Sequence, residues 1–275
     1  MITTEVDNYP GFPEGIQGPE LMERFRKQAE RFGTQIVDAD VTSVDFRRSP
    51  FTVRTDSESH TADSIIIATG ANARWLGIES ELRLRGKGVS ACATCDAFFF
   101  KNKDVYVVGG GDTAMEESTF LAKFAKHVTI VHRRESLRAS KAMQEKAMSN
   151  PKISFIWNAA VIDVLGKDHV TGLRLKNLVD GTVREVPADG LFLAIGHDPA
   201  SFLFKGQLET DDKGYIVVHD HTKSSVEGVF VAGDVHDPRY RQAVSAAGSG
   251  CEAALDAEKY LGENKSKLES KPLTH

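Results

Sequence analysis

A short apolar strand, Val105–Val108, runs straight into three glycines, Gly109-Gly110-Gly111, and then into a segment with helical periodicity. That segment reads as a helix through Lys126, with Met115, Phe120, Leu121 and Phe124 on its apolar face, and the strand Val128–Val131 follows at once. Strand, glycine turn, helix and strand in this order make a βαβ unit. Its two strands must lie parallel with a right-handed crossover, which excludes all-β and all-α architectures for this part of the chain.

Three other runs repeat the pattern of an apolar strand closed by glycine: Ser64–Gly70, Leu191–Gly196 and Val229–Gly233. Continuous apolar runs of this length predict parallel strands buried on both faces. The expected fold is α/β, with two doubly wound, three-layer, Rossmann-like domains. Residues 1–18 read as an extended loop, and Pro19 opens a helix with Leu21, Met22, Phe25, Ala29 and Phe32 on one face, ended by Gly33. Short β segments are expected at Ile36–Val44 and Phe51–Thr55, and a helix over Ser140–Met148 stopped by Pro151. Segments at Ile153–Trp157, Val161–Leu165, Leu173–Lys176 and Val183–Val186 predict an antiparallel excursion turning at Asp180-Gly181. A last helix is expected from Gln242 to Leu261, followed by a polar, disordered tail.

At 275 residues the chain can form two domains. With 34 basic against 39 acidic side chains its net charge is −5, so no general basic surface invites nucleic acid. No apolar run reaches the ~18 residues of a membrane span, and MITTEVDNYPG is not a signal peptide. Three cysteines, two of them in one C-x-x-C, fit a reducing cytoplasm.

Gly109, Gly111 and Ala114 fit G-x-G-x-x-A, in which the first glycine permits a tight turn, the second admits a pyrophosphate and the small third residue packs helix on strand. A glycine triplet alone is often only a turn; here it sits between a strand and a helix. The end of the next strand reads His132-Arg133-Arg134-Glu135-Ser136-Leu137-Arg138, with no acid where an NAD ribose would need one. Arg133, Arg134 and Arg138 supply guanidinium groups for a 2′-phosphate, which favours NADP over a solvated basic helix start.

Cys92 and Cys95 fit a redox pair. A zinc site needs two further ligands, and the sequence has no second C-x-x-C or H-x-x-x-H; two incidental core cysteines are the other alternative. A helix starting at the motif favours a thiolate there, and Asp96 can move the proton that thiol–disulfide exchange requires. Cys251, in a small-residue helix, is expected to pack.

These residues together make the chain similar to the low-molecular-weight thioredoxin reductases. The likeness runs through TTEVDNYPG (3–11), IIIATGA (65–71), SACATCD (90–96), GGGDTAMEE (109–117), HRRESLRAS (132–140), AIGHDP (194–199) and 228–261. It implies an FAD domain split into residues 1–72 and 199–262, an NADPH domain at 73–198 carrying the C-x-x-C, and a tail at 263–275. It implies FAD contacts from Thr3, Asn8, Val41, Ala68, Thr69, Gly70, Gly233, Asp234, Arg241, Gln242 and Ala243. Asp234 would hold the ribityl chain and 241–243 the isoalloxazine end. NADPH contacts would come from Gly109, Gly110, Gly111, Asp112, Thr113, Ala114, His132, the three arginines, Ile195 and Gly196.

The resemblance further implies a homodimer in which domains rotate during turnover. Electrons would pass from NADPH to FAD, to the disulfide through Cys95, and through Cys92 to thioredoxin, with Asp96 as acid–base group. Ala97 stands where the family has glycine. The family also opens with a βα unit whose G-x-G-x-x-G turn binds the FAD pyrophosphate. This sequence starts after that unit, so a truncated form with weak FAD binding is expected. Two alternatives accompany this reading: a reductase serving a glutaredoxin-like or peroxidase-linked partner, and a non-catalytic NADPH-binding remnant.

Overall fold

Five parallel strands carry the glycine turn. The computed structural model describes residues 5–269, and the chain divides into two units. One contains the described residues up to Asn8, Glu14–Pro19 and Ala73–Gly196; the other contains Tyr9–Pro13, Glu20–Asn72 and the residues from His197 onward.

In the first unit the sheet order is Ile153–Ile156, His127–Val131, Asp104–Gly109, Gly190–Ala194, Val89–Ser90, all parallel. The helices Asp112–Leu121 and Lys141–Met148 make the two crossovers. The central strand is lined by Val105 and Val107, both buried against Met115, Leu121, Val128, Ile130 and Phe192. Ile153–Ile156 therefore does not belong to the antiparallel excursion expected from the sequence. Its register pairs Val128 with Ile153 through Val131 with Ile156, and the intervening helix makes this a second βαβ unit. The glycine-turn helix also ends earlier than expected, at Leu121, and Lys126 and His127 both donate backbone N–H groups to the Lys103 carbonyl.

The excursion itself is an antiparallel sheet of Ala159–Leu165, Gly172–Asn177 and Val183–Pro187. Its inner face packs Val161, Val164, Leu173 and Leu175 against Val131 and Leu191. Within 1–18, read from sequence as loop, Glu5–Val6 pairs with Ile16–Gln17.

The second unit holds a parallel pair, Ile65–Ile67 with Val229–Val231, and an antiparallel sheet of Val41–Asp45, Phe51–Thr55 and Ser59–Ala62. Phe46, Phe51, Ile67, Phe204, Ile216 and Val231 form its core. The strand at 65–67 is not buried on both faces as the apolar run predicts. Ile67 is 3% exposed but Ile66 is 42% exposed, because alternate side chains point to opposite faces and only one face is packed among the described residues. The helix Gly18–Arg31 shows the same asymmetry, with Leu21 fully buried and Met22 exposed, and Phe32, expected on its apolar face, lies just past its end and is exposed.

The final helix runs Ala243–Glu269, well past Leu261. GENKSKLE is polar, yet Glu, Lys and Leu are strong helix formers, so polarity alone does not stop a helix that has already nucleated. The rest of the tail, 270–275, lies outside the described residues. Among the described residues no helix is long and apolar enough to cross a membrane.

Candidate redox and nucleotide sites

Cys92 and Cys95 are joined in a disulfide, with their Cα atoms 5.4 Å apart. Cys92 is the N-cap of the short helix Ala93–Asp96, which tightens into a 3₁₀ turn at Ala97–Phe100. Ala93 and Ala97 are buried and hold this turn against the helix Asp112–Leu121, so the alanine at 97 is accommodated in the core. Phe98 and Phe99 stay exposed and Phe100 is buried. Cys92 thus stands at the N-terminal end of this turn, where negative charge is favoured, though its sulfur makes no capping hydrogen bond.

Asp96 is half-buried, and burial pushes its carboxyl above the ordinary aspartate value. A hydrogen bond from Ser90 acts against this, and the nearby charge of Asp7 adds to it. Ser90 Oγ also accepts the Cys92 N–H at 3.0 Å, so one buried hydroxyl touches both the acid and the backbone of the first thiol. Neither Ser90 nor Asp7 is singled out by sequence reasoning. Ser90 lies just before the motif and carries no spacing signal, and Asp7 reaches the site from a distant part of the chain.

The glycine turn works differently from its sequence reading at one position. None of Gly109, Gly110 and Gly111 has positive φ. Gly109 is required by space: a Cβ there would lie 2.6 Å from the Ala114 Cβ and 2.6 Å from the Ala194 carbonyl oxygen. Its role is close packing of helix and neighbouring strand, not a left-handed turn. Gly111 is the opposite case. A Cβ there would meet nothing within 4 Å, and no side chain caps the helix that follows it. That open, uncapped first turn is where a pyrophosphate fits.

The predicted arginine loop lies beside this turn. Arg138 and Ala139 donate backbone N–H groups to the Gly110 carbonyl at 2.7 and 3.1 Å, and Asp112 accepts both the N–H and the hydroxyl of Ser140. These two bonds hold the Asp112 carboxyl below the usual aspartate range. Arg133, Arg134 and Arg138 are exposed, and their guanidinium groups have no ion pair or hydrogen bond among the described residues. His132 is buried, with Nδ1 2.9 Å from the Gly109 carbonyl and Nε2 3.0 Å from that of Ser136. Ile195 and Gly196 follow the strand Gly190–Ala194; Gly196 has φ +101° and its carbonyl accepts the Arg74 N–H. Thr113 and Ala114 lie in the first turn of the helix, Ala114 fully buried.

In the second unit, Ala68, Thr69 and Gly70 follow the strand Ile65–Ile67, with Thr69 Oγ1 bonded to the Ala200 carbonyl at 2.8 Å. Gly233 ends the partner strand at φ +71°, a conformation that suits glycine, and its N–H donates to Ser249 Oγ. This turn sets Asp234 half-buried, with no hydrogen bond to its carboxylate among the described residues. Burial, then the charge of Asp237, raise the Asp234 carboxyl, while Arg241 opposes them. Arg241 bonds to His197 Nδ1, and Gln242 leads into the helix that begins at Ala243. Val41 opens its strand and is exposed. Asn8 is exposed and falls in the first unit; Thr3 lies outside the described residues. Cys251, expected to pack, is exposed and unpaired on the last helix.

The sequence profile of the pyridine nucleotide-disulphide oxidoreductase family matches residues 1–250. Thioredoxin reductase of Streptomyces clavuligerus is 57% identical over 264 residues, covering 95% of this chain and 82% of its own. Thioredoxin reductase 2 of Arabidopsis thaliana is 53% identical over 271 residues, covering 95% of this chain and 71% of its own. The chain belongs to the thioredoxin reductases of the pyridine nucleotide-disulphide oxidoreductase family. Among solved structures, thioredoxin reductase from Giardia duodenalis superposes with a TM-score of 0.90 at 47% identity, over 95% of this chain and 86% of that one. The Streptococcus pyogenes enzyme gives 0.90 at 38% identity, over 95% and 85%.

The cofactors of this family are FAD and NADPH, and the residues present fit the phosphates of NADPH and the ribityl part of FAD. Three guanidinium groups without partners beside an open glycine turn match a 2′-phosphate and a pyrophosphate. A half-buried carboxylate with no donor of its own matches the hydroxyl-rich ribityl chain of FAD.

Proposed function

We propose that this chain passes electrons from NADPH through FAD and the Cys92–Cys95 disulfide to the disulfide of thioredoxin. The observation that carries the reading is a closed Cys92–Cys95 disulfide with a half-buried acid beside it, in the same unit as the open glycine turn and the unpartnered arginines.

FAD, held through Asp234 and residues 241–243, would supply the two-electron carrier between the NADPH hydride and the disulfide. The chain's own residues do the rest. The glycine turn and arginines hold the nucleotide and select its 2′-phosphate, and Asp234 orients the flavin's ribityl chain. Opening the disulfide with two electrons and two protons gives two thiols. Cys92, at the N-cap, gives up its proton and attacks one sulfur of the partner's disulfide. The other partner sulfur leaves as a thiol, taking up a proton. Cys95 then attacks the sulfur of Cys92, restoring the Cys92–Cys95 disulfide and releasing the second partner thiol. Asp96, whose burial favours the protonated carboxyl, moves protons to and from these sulfurs.

The same reading makes the chain a cytoplasmic homodimer, supported by the family and by its cysteine usage. Sedimentation of the purified chain tests the dimer.

The central test supplies purified chain with FAD and follows NADPH oxidation with an aromatic disulfide dye, with and without thioredoxin. Turnover that requires thioredoxin supports the reading. Turnover only with a glutaredoxin-like or peroxidase-linked partner replaces thioredoxin with that partner. NADPH binding without any turnover leaves only a nucleotide-binding role.

A further inference from the structure

The sulfur of Cys92 meets a hydroxyl: Thr94 Oγ1 lies 3.4 Å from Cys92 Sγ. A disulfide sulfur carries no proton, so the hydroxyl is the donor. Cys95 Sγ has no hydrogen-bonding partner among the described residues, so the two sulfurs of the pair are not equivalent. The placement of Cys92 does not depend on the bond between them. Its N–H donates to Ser90 Oγ at 3.0 Å and its carbonyl accepts the Asp96 N–H at 3.2 Å, and both bonds can persist when the disulfide opens. Thr94 stands two residues along the same turn and is exposed.

The charged side chains around this turn work against a thiolate. Asp96 ends the turn, Asp7 is near Asp96, and the helix Asp112–Leu121 packed against the turn carries Asp112, Glu116 and Glu117 and no basic residue. Neither Asp96 nor Asp7 makes an ion pair among the described residues. Besides the N–H end of its own turn, the Thr94 hydroxyl is the group placed to hold negative charge on Cys92.

We propose that Thr94 is a further catalytic residue of the disulfide relay: its hydroxyl donates a hydrogen bond to Cys92 Sγ and stabilises the thiolate that attacks the partner's disulfide. The proposal rests on the reading above that Cys92 is the attacking thiol. Thr94 keeps its own proton throughout, and the proton that Cys92 gives up is the one Asp96 handles. By holding more of Cys92 as thiolate near neutral pH, the bond raises the fraction of reduced chains ready to react.

The test reduces the purified chain with a phosphine and follows alkylation of each cysteine by iodoacetamide as a function of pH. Fragmentation of the peptide that holds both cysteines assigns the label to Cys92 or Cys95, and Cys251 serves as a reference. Thr94→Val removes the hydroxyl and keeps the shape; Thr94→Ser keeps the hydroxyl. The Cys92 profile of Thr94→Val is expected to move its inflection up by about one pH unit, the effect of one lost hydrogen bond to a charged group, with the Cys251 profile unmoved. Thr94→Ser is expected to stay with the parent. A change of packing or access alone alters the height of the profile and leaves its inflection in place. An unmoved inflection in Thr94→Val, or an equal shift in Thr94→Ser, overturns the role of Thr94. Should Thr94→Val not fold, Thr94→Ala removes the hydroxyl by a second route and is read in the same way. A parent chain in which Cys95 is alkylated before Cys92 instead overturns the assignment of Cys92 as the attacking thiol.

Discussion

The ring of Phe100 lies over the Cα of Gly190: a Cβ at 190 would sit 2.2 Å from Cε1 of that ring. Phe100 also meets Phe192 edge-on at 5.0 Å, so the end of the CATCDAFFF stretch is fixed onto the central sheet by one glycine and one aromatic pair. Gly190→Ala is accordingly expected to cost about 1–3 kcal/mol, the range for overfilling a packed core. Guanidinium unfolding measures it, and a variant as stable as the parent would contradict the packing described.

Gly109 and Gly111 should separate stability from binding. Gly109→Ala forces a clash with Ala114 and the Ala194 carbonyl and is expected to destabilise the fold. Gly111→Ala has room and an extended backbone with φ −99° and ψ −178°, so its stability should match the parent. Its methyl group nevertheless occupies the approach of a pyrophosphate, and NADPH affinity should fall about tenfold or more. Thermal melts paired with NADPH titration read both outcomes.

Replacing Arg133 and Arg134 together by alanine should weaken NADPH much more than NADH. Each charge-assisted bond to a phosphate contributes about 1.5–3 kcal/mol, and NADH has no 2′-phosphate to lose. Equal losses for both cofactors would remove the 2′-phosphate assignment.

Asp96→Asn has opposite expected effects on activity and stability. Thiol–disulfide exchange should slow by about 10²-fold or more, the usual contribution of a placed acid–base group. Because burial raises the folded carboxyl, its favourable contribution is complete below the unfolded aspartate value of about 3.9 and is lost as pH rises through the raised value. The always-neutral Asn avoids that loss. Denaturation midpoints should therefore favour the variant at pH 7 and converge with the parent in acid; a variant less stable at pH 7 would contradict the burial argument.

The nucleotide and redox motifs were legible because their chemistry depends on local spacing. Gly109 to Ala114, Arg133 to Arg138 and Cys92 to Cys95 each lie within one turn or loop. What was not legible depends on contacts distant in sequence. Ile153–Ile156 has the same apolar character in a parallel or an antiparallel sheet, and only its pairing with Val128–Val131 distinguishes the two. Asp7 meets Asp96 only after the chain folds. Gly109 looked like a turn residue, and its real constraint, the Ala114 methyl group and the Ala194 carbonyl, is partly set by a strand eighty-odd residues away. The run at 64–70 shows strand but not which face is covered, so it does not distinguish the exposed Ile66 from the buried Ile67.

The exposed thiol of Cys251 makes the redox state of this chain countable. With three cysteines in the sequence and Cys92 and Cys95 joined, the oxidised chain offers one thiol to an alkylating reagent and the reduced chain three. Intact mass after alkylation thus reports the state of the disulfide directly, with Cys251 as an internal reference in every molecule. The same exposed sulfur can join two chains through an oxidative cross-link, so dimers seen under non-reducing conditions must survive Cys251→Ser before they are assigned to an interface.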